Sequence, residues 1–273
     1  MAQAARYFPV DVPPLMPGRQ PRLGGEGAGT TCFERDQELS EYLAAKTKTK
    51  TTAVRVPGAA ADEARVGDWL RDTIAREHPA VAIPGRTLDE AMPAVQEDLV
   101  VMRRPSDVDA ADAIAAYLHV SFPTGWCPDC ACGRSFLDIH APVPERHAFA
   151  VTNRRRLAQN LFGIDRRTTV RFVWTVTPDP RLDRRRCPRG LHRSVAGSWA
   201  DAATAWFRVE RQVIVPLSDA LGVFLIRVYR HDVRTLTGAQ RAVLRRSVAA
   251  MDPALAAYKG LAEQADAIDA LLA

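Results

Sequence analysis

The chain has 273 residues, of which 47% are hydrophobic and 25% charged, and its formal net charge is +5. This apolar fraction is enough for a packed core, which excludes disorder along the whole chain. No run approaches the roughly 20 apolar residues that cross a bilayer, and the chain does not begin with a basic segment followed by an apolar one. We therefore expect a cytoplasmic protein that does not cross a membrane.

Arginine supplies most of the positive charge, because only four of the 37 cationic residues are lysine. The arginines occur in short groups with acidic residues between them, as at 154–156, 166–167, 184–186 and 245–246. There is no interleaved aromatic pattern for base stacking and no spacing typical of a DNA-binding motif. We therefore predict no nucleic-acid partner and assign most of the arginines to the solvated surface.

The N-terminal part is predicted to be helical after an initial arm. Residues 1–31 are rich in Pro and Gly and predict an extended arm, with a single domain over 32–273. Apolar residues then recur at helical spacing, and Thr87 with Glu90 has the pattern of a capping box. The predicted helices are 33–45, 62–77, 87–104 and 109–118, with a polar connector over 46–52.

The pattern changes towards strands after residue 119. The strongest indication is a long antiparallel hairpin, with strands over 204–217 and 223–233 around a turn at 218–222. Further strands are predicted over 134–141 and 168–176, an amphipathic helix over 144–162, and closing helices over 238–251 and 253–272. Helices at both ends of a central antiparallel sheet predict an α+β fold.

Side chains alternate between faces along the hairpin, and this alternation identifies unusual arginines. Arg208 and Glu210 share one face of the first strand, whereas Arg211 lies among apolar residues on the other. On the returning strand, Arg227 likewise shares a face with apolar residues. A buried cation needs an anionic partner. That partner is either internal, such as Glu210 for Arg208 or a helix carboxylate for Arg211, or a carboxylate of a bound ligand.

His140 is a second candidate, because Pro142 and Pro144 restrict the backbone that follows it. A metal or haem ligand needs an imidazole that is held in one orientation. Histidines in such positions also serve only to hydrogen-bond a loop, and that alternative stays open.

Five strings follow one another along the chain: VQEDLVVM (95–102), SFPTGW (121–126), IHAPVPE (139–145), VW (173–174) and FRVERQ (207–212). In this order they resemble the haem-dependent oxidative N-demethylase family, formerly a domain of unknown function, over about residues 8–261. The resemblance implies a PAS-like fold that holds haem b. It further implies an enzyme that oxidises a secondary methylamine with dioxygen and releases formaldehyde, with electrons from NADPH through separate flavin and iron–sulfur subunits.

The resemblance also implies roles for individual residues. His140 lies in the family's Ile-His-x-Pro-Val-Pro motif, which implies that it is the axial ligand of the haem iron. The Arg-x-Glu-Arg-Gln motif implies that Arg208 or Arg211 pairs a haem propionate or a polar substrate, and that Glu210 binds an amine and accepts its proton. Trp174 matches an Asn-Trp pair in the family, but Val173 replaces the Asn, so the substrate stays open.

Three cysteines, Cys127, Cys130 and Cys132, depart from the family pattern. Covalent attachment of a c-type haem requires His at position 131, where this chain has Ala. A zinc or iron–sulfur site needs a fourth ligand, such as Cys187 or a nearby His. The cysteines are therefore candidates for a second metal site, or are reduced thiols in a loop.

We therefore expect a haem b-dependent oxidase or oxygenase. It would act on an amine or amino-acid-like substrate with dioxygen, by chemistry similar to oxidative N-demethylation. No dinucleotide-binding fingerprint is present in the sequence, so a separate protein is the expected electron donor. A haem sensor without turnover, or a metal-binding scaffold on the three cysteines, are the alternatives.

Overall fold

The computed structural model describes residues 31–49, 51–105, 109–144, 160–162, 168–186, 199 and 202–273. The arm predicted over 1–31 lies outside this part of the chain except for its last residue, as does most of the helix predicted over 144–162. The division into an arm and a single domain therefore stays a prediction. In the described part of the chain, no helix combines the length and the hydrophobicity that a membrane span requires.

A six-stranded antiparallel sheet forms the centre of the fold, in the order β1-β3-β2-β6-β5-β4. The strands are β1 (Val54–Arg55), β2 (Asp98–Arg103), β3 (Ile114–His119), β4 (Thr169–Thr177), β5 (Trp206–Pro216) and β6 (Leu221–Asp232). With helices around this sheet, the predicted α+β class is confirmed. Its likeness to PAS folds stays a prediction.

The described helices come before, between and after the strands. They are α1 (Leu39–Thr49), α2 (Ala60–Glu77), α3 (Leu88–Ala91), α4 (Pro128–Ala131), α5 (Phe136–His140), α6 (Gly238–Ala249), α7 (Pro253–Tyr258) and α8 (Ala265–Leu272). The helix predicted over 62–77 and the helix predicted over 238–251 are confirmed as α2 and α6.

Both faces of the β5–β6 hairpin are buried, and they differ in character. The predicted hairpin is confirmed, with pairing from Trp206 and Asp232 to Pro216 and Gly222. On the core face, defined by the odd-numbered residues of β5, Phe207, Val209 and Val213 belong to the main hydrophobic cluster together with residues of α2, α6 and α8. The even-numbered residues of β5 form the opposite face, which we call the cavity face.

The helix predicted over 87–104 is wrong beyond its first turns. Thr87 and Glu90 form the expected capping box, but α3 ends at Ala91, a 3₁₀ turn containing Pro93 follows, and the chain enters β2. The helix predicted over 109–118 is also wrong, because most of that segment forms β3. Both strands are almost wholly buried. A short apolar segment that is buried on both sides shows no alternation of polar and apolar residues, so its sequence does not distinguish a strand from a helix.

Other boundaries differ as well. The strand predicted over 134–141 is wrong: Ser135 caps α5, its hydroxyl accepting a hydrogen bond from the Asp138 N–H at 3.1 Å. His140 is therefore the last residue of a short helix. The connector predicted over 46–52 is wrong in its first half, which belongs to α1. The helix predicted over 253–272 is interrupted after α7, where Gly260 adopts a φ of +69°.

Helix α1 covers a part of β6 that has no neighbouring strand on one side. β2 pairs only with β6 residues up to Ile226, so the second half of β6 is open on that side. There the Tyr42 hydroxyl donates to the Val228 carbonyl at 2.6 Å. Lys46 is buried and donates to the Glu97 carbonyl at 2.6 Å. Polar contacts to buried backbone thus hold α1 against the sheet.

Glu97 is buried beneath this helix. One carboxylate oxygen accepts from the Glu34 N–H at 2.8 Å, and the other is buried without a hydrogen-bond partner in the described part of the chain. Burial raises the pKa of Glu97 to about 7, although Arg227 and Lys46 lower it in part. The side chain is therefore held in an environment that favours its neutral form.

The first prediction concerns Gly222, where β6 meets another segment. A Cβ built on this residue would lie 2.3 Å from the Leu161 carbonyl oxygen, which is backbone and cannot turn away. Gly222→Ala should therefore lower the free energy of unfolding by about 1–3 kcal/mol in denaturant titrations. Gly238→Ala is the matched control, because nothing lies within 4 Å of its Cβ. Equal stability of the two variants would contradict the packing described here.

The second prediction concerns Glu97 and pH. Its folded-state pKa is raised above the ordinary value, so its stabilising contribution is present below about pH 4.5 and is lost as the pH rises through about 7. Glu97→Gln should match the wild type in unfolding free energy at low pH and exceed it by a few kcal/mol above pH 7. Glu263→Gln, at an exposed position, is the control. A difference that does not vary with pH would refute this assignment.

Candidate functional site

A cavity of about 480 Å³ opens on the cavity face of the sheet. Its floor is formed by β4, β5 and β6, and its walls by residues of the 124–143 segment, which includes α5, and by residues 255–264 around the end of α7. The volume lies within the range of about 300–1,000 Å³ that is usual for small-molecule and cofactor sites. Four of the predicted site residues line it: His140, Trp174, Arg208 and Glu210.

A row of hydrogen-bonded polar side chains crosses the floor. Arg171 Nε donates to Gln212 Oε1 at 2.5 Å, and Gln212 Nε2 donates to Glu210 Oε2 at 2.8 Å. Arg171 and Gln212 are cross-strand neighbours on β4 and β5, and Glu210 is two residues from Gln212 on the same strand face. The row thus follows from strand register, and it fixes the orientation of both the Gln212 amide and the Glu210 carboxylate.

Arg208 lies beside this row and is 1% exposed. It donates to Thr124 Oγ1 at 2.8 Å, to the Phe122 carbonyl at 2.8 Å and to the Arg181 carbonyl at 3.1 Å. All three acceptors are uncharged, and no described carboxylate lies within 4.0 Å. Burial lowers the pKa of the guanidinium to about 10. The internal Arg208–Glu210 ion pair considered above is therefore not formed.

His140 lies on the cavity wall at the end of α5. Its Nδ1 is 2.8 Å from the Phe136 carbonyl oxygen, and its ring stacks on the Phe136 ring with centroids 4.0 Å apart. Because a carbonyl oxygen only accepts, Nδ1 carries the proton, and Nε2 is the nitrogen with the lone pair in the neutral ring. One helical turn thus fixes both the orientation and the tautomer of this side chain.

The charged side chains that line the cavity are mostly cationic. Glu210 is the one acidic residue among the described lining residues, against five cationic ones: Arg171, Arg184, Arg186, Arg208 and Lys259. Arg184 Nε is buried without a hydrogen-bond partner in the described ranges and lies 3.8 Å from the nearest Asp179 oxygen. Burial, more than the neighbouring arginines, lowers the pKa of Arg184. The cavity is therefore electrostatically suited to anionic groups.

The segment after β6 closes one side of the cavity. Lys259 donates to the Trp174 carbonyl, and its ammonium lies 5.3 Å from the centre of the Trp174 ring. Trp174 lies opposite Val209 in the strand register and packs against Phe207, with ring centroids 6.0 Å apart, so its side chain lies on the core face and borders the cavity at the edge strand β4. Tyr258 lines the cavity yet is 49% exposed, which marks the side that faces solvent. Burial raises the pKa of this phenol, and the charge of Glu210 raises it further.

Arg211 and Arg227 do not line the cavity, because strand alternation directs them to the core face. Arg211 Nε lies 3.2 Å from Glu34, and Arg227 lies 3.2 Å from Asp36 and 3.4 Å from Glu38. The Arg227 guanidinium also stacks 3.7 Å from the centre of the Tyr42 ring. Carboxylates of the chain itself therefore neutralise both cations, and we do not include them in the candidate site.

The three cysteines lie at the ends and in the middle of the short helix α4. Cys127 precedes its first turn, Cys130 lies within it and Cys132 follows it. Burial raises the pKa of the Cys132 thiol, and Asp129 raises it further, which disfavours the thiolate that binds metals. Across the described ranges, no three His, Cys, Asp or Glu side chains form a group that holds a metal ion. Of the two alternatives for these cysteines, the zinc or iron–sulfur site therefore has no support in the described residues.

Gln212 and Arg184 are cavity residues that the sequence analysis did not select. The alternation of side chains that identified Arg208 and Glu210 also identifies Gln212, because Gln212 occupies the next position on the same face of the strand. Arg184 had no comparable signal, since it lies in an irregular segment. That segment is brought to the cavity by the backbone bonds from Gly125 N–H to the Arg184 carbonyl and from Arg184 N–H to the Pro123 carbonyl.

Comparison with protein families adds an independent observation. Residues 62–269 match the family model described as haem-dependent oxidative N-demethylase, alpha subunit-like. The chain belongs to this family. The match begins within α2 and ends within α8, so it includes β2 to β6 and all the cavity-lining residues named above, but not β1. No curated protein matches the chain.

Membership gives the coarse function of this N-demethylase-like protein. The family description indicates an enzyme of the oxidative demethylase type that depends on haem. It names neither the substrate nor the residues that act on it, so these are argued from the cavity itself.

Proposed function

We propose that this protein is a haem b-dependent oxidase or oxygenase that uses dioxygen to oxidise an amine in the cavity, by chemistry similar to oxidative N-demethylation. The observation that carries the proposal is the cavity itself, whose described lining combines apolar walls with five cationic side chains and a single carboxylate. Family membership supports the use of haem, and the cavity is the site in the described part of the chain that fits it.

The fit to haem follows from the chemistry of the two partners. Haem b is a flat apolar ring with two propionates at one edge. The apolar lining includes Val100, Met102, Leu118, Phe136 and Ile139, which suits the ring. Arg184 and Arg186 suit the propionates, because Arg184 has a buried donor that lacks a hydrogen-bond partner in the described residues. We assign the propionates to these two arginines.

We assign His140 as the residue that would bind the haem iron. The hydrogen bond from Nδ1 to the Phe136 carbonyl leaves the lone pair on Nε2 and raises the basicity of the ring, as is usual for metal-bound histidines. Bound haem would supply the activation of dioxygen, which the side chains of this protein cannot perform. The chain supplies the ligand, the shape of the cavity and its charge.

Glu210 is the group that we assign to the amine. Its carboxylate is the one negative charge among the described lining residues, so it attracts an ammonium and can accept a proton from it. Gln212 holds one carboxylate oxygen in place, which directs the other towards the substrate. A separate electron-donor protein is part of the proposal.

The third prediction tests haem binding. The protein expressed with haem should show a Soret band. His140→Ala should remove or strongly shift it, and Arg184→Gln should weaken haem binding about tenfold or more through loss of a charge-assisted bond. His78→Ala and Arg234→Gln, which lie outside the cavity lining, should leave the spectrum and the affinity unchanged. Absence of a Soret band in the wild type would refute the proposal.

Turnover separates an enzyme from a haem sensor. With a reductant and an N-methylated amine, the haem-loaded protein should consume dioxygen and release formaldehyde, and Glu210→Gln should abolish this while it retains the Soret band. A protein that binds haem but consumes no dioxygen with any added amine would instead be a sensor.

A further inference from the structure

The floor of the cavity contains two opposite charges that are neighbours but are not paired with each other. Arg208 and Glu210 are two residues apart on the same face of β5, a spacing of about 7 Å along a strand. They are 1% and 9% exposed. No ion pair within 4.0 Å joins them, although both carry charges. Two buried charges that do not neutralise each other are costly unless other groups compensate them.

The contacts of each side chain explain why they stay apart. The Arg208 guanidinium is turned towards Thr124 and the carbonyl groups of Phe122 and Arg181. The Glu210 carboxylate is turned the other way, towards the Gln212 amide, which Arg171 holds from its far side. Neutral dipoles thus hold the cation and the anion at separate positions on one surface, and both line the cavity.

A single ligand that neutralises both positions carries both an anionic and a cationic group, a few ångströms apart. We propose that the amine substrate is a zwitterion, an N-methylated α-amino acid, whose carboxylate binds Arg208 and whose ammonium binds Glu210. This inference rests on the proposed function, in that the ligand is the amine to be oxidised. The propionates are assigned to Arg184 and Arg186, so Arg208 remains for the substrate.

The charge of the whole cavity agrees with this assignment. A simple methylammonium ion adds a positive charge to a cavity that already has five described cationic side chains against Glu210. A zwitterion adds no net charge, and its carboxylate gains a charge-assisted hydrogen bond in a water-poor site. The low exposure of Arg208 and the lowering of its pKa by burial further indicate that an anion beside it would be bound strongly.

The test is isothermal titration calorimetry of the haem-loaded protein with N-methylglycine and with dimethylamine, which lacks the carboxylate. N-Methylglycine should bind at least about tenfold more tightly. Arg208→Gln should reduce its affinity to that of dimethylamine, and Glu210→Gln should weaken both ligands. Arg103→Gln, on β2 and ion-paired with Asp62 outside the cavity lining, is the matched control and should leave the preference unchanged.

Equal or tighter binding of dimethylamine to the wild type would overturn the inference, as would an Arg208→Gln protein that keeps the preference. The comparison of ligands on the wild type decides the matter even if the buried substitution prevents folding. Dioxygen uptake, measured separately, distinguishes the two proposals. Uptake with dimethylamine but no preference for N-methylglycine would overturn only the zwitterion, whereas tight binding of N-methylglycine without uptake would overturn only the enzymatic function.

Discussion

The alternation of side chains along β5 is the constraint on which the rest of this structure depends. Both faces of the sheet are buried at this strand, so each charged residue must find a partner on the side to which the backbone directs it. The Arg-x-Glu-Arg-Gln string is thereby divided: Arg208, Glu210 and Gln212 face the cavity, and Arg211 faces the core. A shift of register by one residue would exchange the two sets and destroy both sites.

The two faces satisfy their charges in different ways. On the core face, the segment before α1 supplies Glu34, Asp36 and Glu38, and these carboxylates pair Arg211 and Arg227. Those cations stabilise the fold and have no need of a ligand. On the cavity face, Arg208 receives only neutral acceptors, and the nearest Asp179 oxygen to Arg184 is 3.8 Å away. On this face, the chain itself provides little opposite charge for these cations. Such charges in a cavity indicate the kind of ligand that the cavity binds.

Local patterns predicted part of this fold and part of the site. The hairpin, β4 and α2 could be predicted from the sequence, because each shows a clear strand or helix pattern over a long segment. β2 and β3 were not, because they are buried on both sides, and α5 was not, because its five residues are too few for helical spacing to appear. Alternation identified Arg208 and Glu210 as neighbours on one face. Alternation does not show which face of the sheet has a cavity. It also made Arg227 a candidate for ligand binding, because its partners Asp36 and Glu38 lie about 190 residues earlier in the chain and no local pattern reveals them.

The most direct measurement is a crystal structure of the haem-loaded protein, because it reveals which face of β5 borders the cofactor. We expect the porphyrin on the cavity face, with His140 at the iron, the propionates at Arg184 and Arg186, and Glu210 exposed to the remaining space. A porphyrin bound on the core face beside Arg211 or Arg227, or an iron ligand other than His140, would contradict the division of charges between the two faces that underlies the proposed function.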